Sequence, residues 1–214
     1  MASSAQPSAP LTADHQQAIP RDIIGPQYCS PNHRIDLAIV RKVSMMTGGN
    51  FAVTDVNGNI MFKVKGVLSF RGRRVLLDAT GNPIVTLRQK LMTMHARWQV
   101  FRGESTKSRD LLFSAKRTSI FQWKWKTKLD VFLANNTEEE VCDFRIEGRW
   151  FENSCVIRAG ESSTNILAQM QKKHTVQSVL FGKDNFMVTV YPNIDYAFIV
   201  ALIVVLDEIL QSNM

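Results

Sequence analysis

Cysteine and histidine are scarce in this chain, and their scarcity closes off much of the usual site chemistry. Its 214 residues carry three cysteines, Cys29, Cys142 and Cys155, and four histidines, His15, His33, His95 and His174, none at paired-ligand spacing. A disulfide framework and a zinc site are therefore excluded, and no metal or other cofactor is expected. A Gly-x-Ser-x-Gly elbow, a phosphate-cradling glycine loop and a His-Glu-x-x-His pair are all missing. With them go the familiar signatures of hydrolases, nucleotide enzymes and metalloproteases, and the chain reads as a non-enzyme. Also lacking is an apolar run of the roughly 20 residues that span a bilayer. The strongest apolar stretch, Tyr196 to Leu206, is stopped at either end by Asp195 and Asp207.

The first residues, Met1-Ala2-Ser3-Ser4, lack the second-position glycine that myristoylation needs, and no secretory leader is read. A reducing compartment is expected: the cytoplasm, with the nucleus or the periphery of the plasma membrane as further stations. The sequon Asn135-Asn136-Thr137 is then expected to stay bare. Cys142 and Cys155, on apolar strands, read as buried small hydrophobes rather than nucleophiles, and Cys29 as the accessible thiol.

What is present in quantity is apolar surface, at 45% of residues, and positive charge, at net +7. The segment 1–24 is small, polar and proline-punctuated, and is expected to be a flexible tail. Residues 25–214 then form one domain. Short β-branched or aromatic runs fill it: DLAIVRKV, NFAVTDV, NIMFKVKG, RRVLLDA, PIVTLRQ, RWQVFRG, DLLFSAKR, FQWKWKTK, DVFLAN, CDFRIEG, SCVIRA, NILAQMQK and NFMVTVYP. Glycine- and asparagine-rich turns separate several of them, including Asn57-Gly58-Asn59 and Thr80-Gly81-Asn82-Pro83, the pattern of antiparallel hairpins. Asp55 and Asp78 open two copies of an Asp-x-x-Gly-Asn unit, a repeated turn rather than a calcium loop.

Alternation assigns the faces. Phe62 and Val64 oppose Lys63 and Lys65, and Phe121, Trp123 and Trp125 oppose Lys124, Lys126 and Lys128. One face is apolar and one wet, as in a closed antiparallel sheet. The stretch after Asp195 is apolar on every side of a helix, so it must be wrapped completely. A barrel of about a dozen strands leaves an interior wide enough to hold it. The expected fold is therefore an all-β, roughly twelve-stranded antiparallel closed β-barrel around a hydrophobic C-terminal α-helix at about residues 195–211, with Asp195 as its N-cap.

The stretches SPNHRIDLAIVRKV, GGNFAVTDVNGNIMFKVKG, RRVLLDATGNPIVTLRQK and FGKDNFMVTVYPNIDYAFIVALIVVLDEI resemble the plant LURP-one-related family, from about Gly25 to Leu210. That family belongs to the tubby C-terminal-like superfamily, with the tubby proteins and phospholipid scramblases. The resemblance implies the same barrel and helix, and an association with plant defence. Tubby proteins hold phosphoinositide in a basic surface pocket. Scramblases carry an acylated cysteine cluster and a calcium-binding segment beside the last helix, both missing here.

The candidate site is basic. Lys124, Lys126 and Lys128 project from one side of a run, Lys63 and Lys65 repeat the device, and Arg71, Arg73 and Arg74 follow. If these segments adjoin, they form a site for anionic phospholipid headgroups. The plainer reading is a solvated strand face. Single-stranded nucleic acid fits less well, because Trp123 and Trp125 fall on the face opposite the lysines. Glu138, Glu139 and Glu140 make an acidic turn that suits an unidentified protein partner. The sequence thus points to a binding or scaffold module. Its alternatives are a tubby-like transcription-associated protein that binds nucleic acid and a protein-interaction module without lipid.

Overall fold

The computed structural model describes residues 22–42, 50–66, 72–91, 97–118, 127–149, 154–161, 164–171 and 186–211. Twelve strands close a barrel in which every neighbour is antiparallel, and the order around the wall is a simple meander sealed by β1 against β12. The strands are β1 (Ile35–Lys42), β2 (Asn50–Thr54), β3 (Ile60–Gly66), β4 (Arg73–Asp78), β5 (Pro83–Gln89) and β6 (Trp98–Arg102). They continue with β7 (Leu111–Arg117), β8 (Thr127–Leu133), β9 (Phe144–Arg149), β10 (Ser154–Ala159), β11 (Ile166–Gln171) and β12 (Phe186–Val190). One helix, α1 (Tyr196–Gln211), lies inside.

Period-two alternation puts Leu37, Val53, Phe62, Val64, Leu76, Val85, Leu87, Val100, Phe113, Leu129, Ile146 and Val188 on the inner face, all buried. They meet a helix whose residues Ala197 to Leu206 are each no more than 2% exposed. Phe198 stands edge-on to Phe113, with ring centroids 5.0 Å apart, and tilts against Phe144 at the same distance. A helix with no polar stripe is stable in water only when wrapped in this way. No helix among the described residues is long and apolar enough to cross a membrane.

The helix starts at a buried carboxylate. Asp195 Oδ1 accepts from the Phe198 amide at 2.9 Å, as an N-cap should. Its Oδ2 accepts from the amides of Ile24 and Gly25 at 2.7 and 3.0 Å. Asp195 also bridges to Cys29, and the Asn193 amide donates to the Ser30 carbonyl at 2.7 Å. Residues 22–30 thereby form a strap across one mouth of the barrel, where Tyr28 packs against Phe62 and Tyr196. Ile24, placed in the tail by composition, is 3% exposed and part of the core. Ile23 packs partly buried against the same core, and two adjacent isoleucines in an otherwise polar segment give no periodic signal.

The repeated Asp turns are two copies of one structure. Asp55 Oδ1 accepts from the amides of Asn57 and Asn59, and Asp78 Oδ1 from those of Gly81 and Asn82. Gly58 and Gly81 sit at φ 86° and 102°, where a side chain would be strained. These bonds, led by the Asn59 side chain on Asp55 and the Thr80 hydroxyl on Asp78, hold both carboxyls below their ordinary range. A register shift adjoins each turn, at Val53/Thr54 and at Leu76/Leu77 on the strand leading into it.

One expected strand falls differently. Of FQWKWKTK, only Thr127 and Lys128 are described, and they open β8 rather than closing a strand of their own. Phe121, Trp123, Lys124, Trp125 and Lys126 lie outside the described residues.

Candidate functional site: an uncompensated basic wall

Cations on the outer face of the barrel are treated in two different ways. Across β6 to β9 Arg97, Lys116, Lys128 and Arg145 meet carboxylates, while Arg102 of β6 donates to the Ile24 carbonyl and Arg117 Nε of β7 is buried with no acceptor among the described residues. Arg97 makes a forked pair with Glu139, both N···O distances being 2.5 Å, and Lys116 reaches the same carboxylate at 2.9 Å. Arg145 binds Asp130 at 2.7 Å and Glu161 at 3.1 Å, and Lys128 faces Glu147 at 3.4 Å. Glu139 sits at φ 54°, a backbone region side chains avoid, and its two cations hold it there. Hydrogen bonding to Arg97, more than to Lys116, outweighs burial and lowers its pKa to about 2.

The outer face of β3 to β5 has cations whose partners are neutral. Lys63 Nζ donates to the Ala79 carbonyl at 2.9 Å, and Arg73 Nη2 to the Glu104 carbonyl at 3.1 Å. Arg88 Nη2 donates to Gln99 Oε1 at 3.1 Å, and its guanidinium lies 4.9 Å from the centre of the Phe101 ring. Lys65 is exposed, opposite Val75. Registration places Arg73 directly opposite Arg88, with Cα atoms about 5 Å apart. Like charges opposite each other on one sheet face repel. Arg73 Nε is moreover buried with no acceptor among the described residues.

The expected headgroup residues are thus sorted. Lys63, Lys65 and Arg73 share one wall. Arg74, next along β4, points inward, and its guanidinium binds Glu208 of α1 at 2.6 Å, so it is withdrawn from the surface. It answers an acid in the last turn of a helix, where the dipole disfavours one. Burial pushes the Glu208 pKa up against that pairing. Lys128 stands on β8, separated from β4 by β5, β6 and β7, or about 19 Å along the wall at about 4.8 Å per strand. It does not join the β3–β4 group. Lys124, Lys126 and Arg71 lie outside the described residues.

Arg88 is the residue that sequence reasoning missed. Counting outward from the Asp78 turn pairs Arg73 with Leu87. The register shift at Leu76/Leu77 moves that pairing by one, onto Arg88. The acidic turn is also divided: Glu138 and Glu140 are exposed, while Glu139 is held by Arg97 and Lys116.

Cysteine chemistry has no support in the geometry. Burial pushes the thiols of Cys142 and Cys155 up to about 12. Burial, then Asp195, raises that of half-buried Cys29 as well, so the loop thiol is no activated nucleophile. Among the described residues no cluster of His, Cys, Asp and Glu could hold a metal ion.

Fold and surface together define a class: a closed meander barrel filled by its own C-terminal helix. The LURP-one-related family profile matches residues 35–207, and the chain belongs to that family. It is 60% identical to Arabidopsis thaliana LURP-one-related protein 15 over 192 residues, covering 89% of this chain and 87% of the relative. To Arabidopsis LURP1 it is 54% identical over 192 residues, covering 89% and 91%. The X-ray structure of an Arabidopsis protein matches with a TM-score of 0.69 at 52% identity, covering 87% of this chain and 97% of that one. The names of the family and of these relatives carry no enzymatic activity.

Proposed function

We propose that this chain is a non-catalytic binding and scaffold module of plant defence signalling that docks on anionic membranes through the outer wall of β3–β5. The observation that carries the docking is the neutral partnering of Lys63, Arg73 and Arg88, beside exposed Lys65. The cations Arg97, Lys116, Lys128 and Arg145 across the barrel have carboxylates instead. A cation near an anionic leaflet contributes about 1 kcal/mol, so several on one wall give reversible attachment. Membership of the LURP-one-related family supports the defence context, and the basic wall itself supports the ligand class. The working place is then the cytoplasmic face of a membrane.

Vesicle co-flotation at physiological salt tests it, with neutral, phosphatidylserine and phosphoinositide membranes. The K65E/R88E variant is expected to lose at least about tenfold in binding to the anionic vesicles. K128E, changed on the compensated wall, is expected to float as the parent protein does. Equal loss in both variants, or none in either, removes the β3–β5 wall as the docking surface. No flotation on any membrane leaves protein partners, or nucleic acid, as the ligands to pursue.

A further inference from the structure

The Arg73–Arg88 pair deepens the membrane-docking reading, on which this inference rests. A wall that needs only diffuse attraction has no reason to set two guanidinium groups opposite each other. Scattered lysines would serve. Here the register places Arg73 against Arg88, and the unpaired, buried Arg73 Nε leaves one donor of the fork unused. Among the described residues each guanidinium makes one side-chain hydrogen bond to a neutral oxygen, the Glu104 carbonyl and Gln99 Oε1, so other Nη donors remain for a ligand. Phe101 beneath Arg88 fixes that plane, and Lys65 lies diagonally across β4 from Arg73.

We infer that this pair is a receptor for a phosphomonoester group, the two guanidinium forks closing on one terminal phosphate carried by a lipid headgroup. A phosphomonoester has a charge near −2 at neutral pH and three acceptor oxygens. It can therefore cancel both guanidinium charges at once and accept bidentate bonds from each. A phosphodiester, as in phosphatidylserine, has one charge and two free oxygens at the same place. The pair thus discriminates headgroups by their terminal phosphate rather than by total surface charge.

The test uses the full chain with phosphatidylcholine vesicles containing either phosphatidic acid, a phosphomonoester lipid, or phosphatidylserine, matched in total surface charge. The parent protein is expected to prefer phosphatidic acid by about tenfold, the difference a pair of charge-assisted forks makes. The R73K/R88K variant keeps both charges and removes both forks. It is expected to lose that preference while still binding phosphatidylserine vesicles and melting within a degree or two of the parent. No preference in the parent, or a preference that survives in R73K/R88K, overturns the phosphomonoester receptor and leaves membrane docking standing. Absence of binding to either vesicle overturns both. Added inorganic phosphate separates the sources. Release from phosphatidic acid vesicles assigns the pair to phosphate groups of any origin. Retention assigns it to headgroups presented at a surface. In either case the guanidinium pair is the receptor.

Discussion

The two walls of the barrel hold cations at opposite energetic settings. On the β6–β9 side, each of Arg97, Lys116, Lys128 and Arg145 lies against a carboxylate. On the β3–β5 side, two arginines face each other across a strand pair with only neutral acceptors among the described residues. The first arrangement strengthens the fold and leaves little field outside. The second weakens the fold locally and leaves an attractive field for anions. On the proposed reading, the outer face of β3–β5 keeps its charge for recognition, while Arg74 on the inner side of β4 is paired with Glu208.

That contrast can be broken from the compensated side with the largest effect. Asp130→Ala removes a carboxylate from Arg145, whose side chain is 8% exposed, leaving Glu161 as its remaining carboxylate among the described residues. A loss of about 3 kcal/mol is expected, read from the denaturant midpoint. Glu139→Gln leaves Arg97 and Lys116 without their anion and frees a residue at positive φ. A loss of about 2 kcal/mol is expected there. The same position gives a pH signature. Glu139 has a pKa lowered from 4.5 to about 2, so its contribution is complete above 4.5 and disappears as pH falls toward about 2. The E139Q variant should show a shallower fall in stability across that acid window. A fall as steep as the parent's would place the acid sensitivity elsewhere.

Two smaller effects sharpen the contrast. Lys128→Ala breaks an exposed pair with Glu147 and should change stability by less than about 0.5 kcal/mol. Arg88→Gln should go the other way, raising stability by a few tenths of a kcal/mol, because it removes the like charge opposite Arg73. A measurable destabilisation by R88Q would mean that the Gln99 and Phe101 contacts outweigh the repulsion. The two walls would then be less distinct than their partners imply.

Much of the scaffold was legible from periodicity. Alternation in NIMFKVKG placed Phe62 and Val64 inside, and the all-round apolarity after Asp195 required a wrapped helix. The site was legible only in part. That Lys128 and Lys63 stand on different sides of the barrel follows from strict meander order, which becomes usable only once the sheet is known to close without crossovers. Arg74 looked equivalent to Arg73, yet successive residues of a strand face opposite ways, and Glu208 fixed which of the two turned inward. Arg88 was hidden by a register shift, a backbone event with no side-chain signature. Ile24 was hidden because its partner, Asp195, lies 171 residues away.

That last separation bears on how the protein is made. Each hairpin of the meander pairs neighbours in sequence, so the wall can assemble piece by piece as the chain leaves the ribosome. The helix that fills the wall, the strand that seals it and the carboxylate that anchors the strap all come near the end of the chain. Until they arrive, a nascent curved sheet presents an open apolar concavity to the cell. Among the described elements β12 and α1 are thus made last, and their arrival closes that concavity.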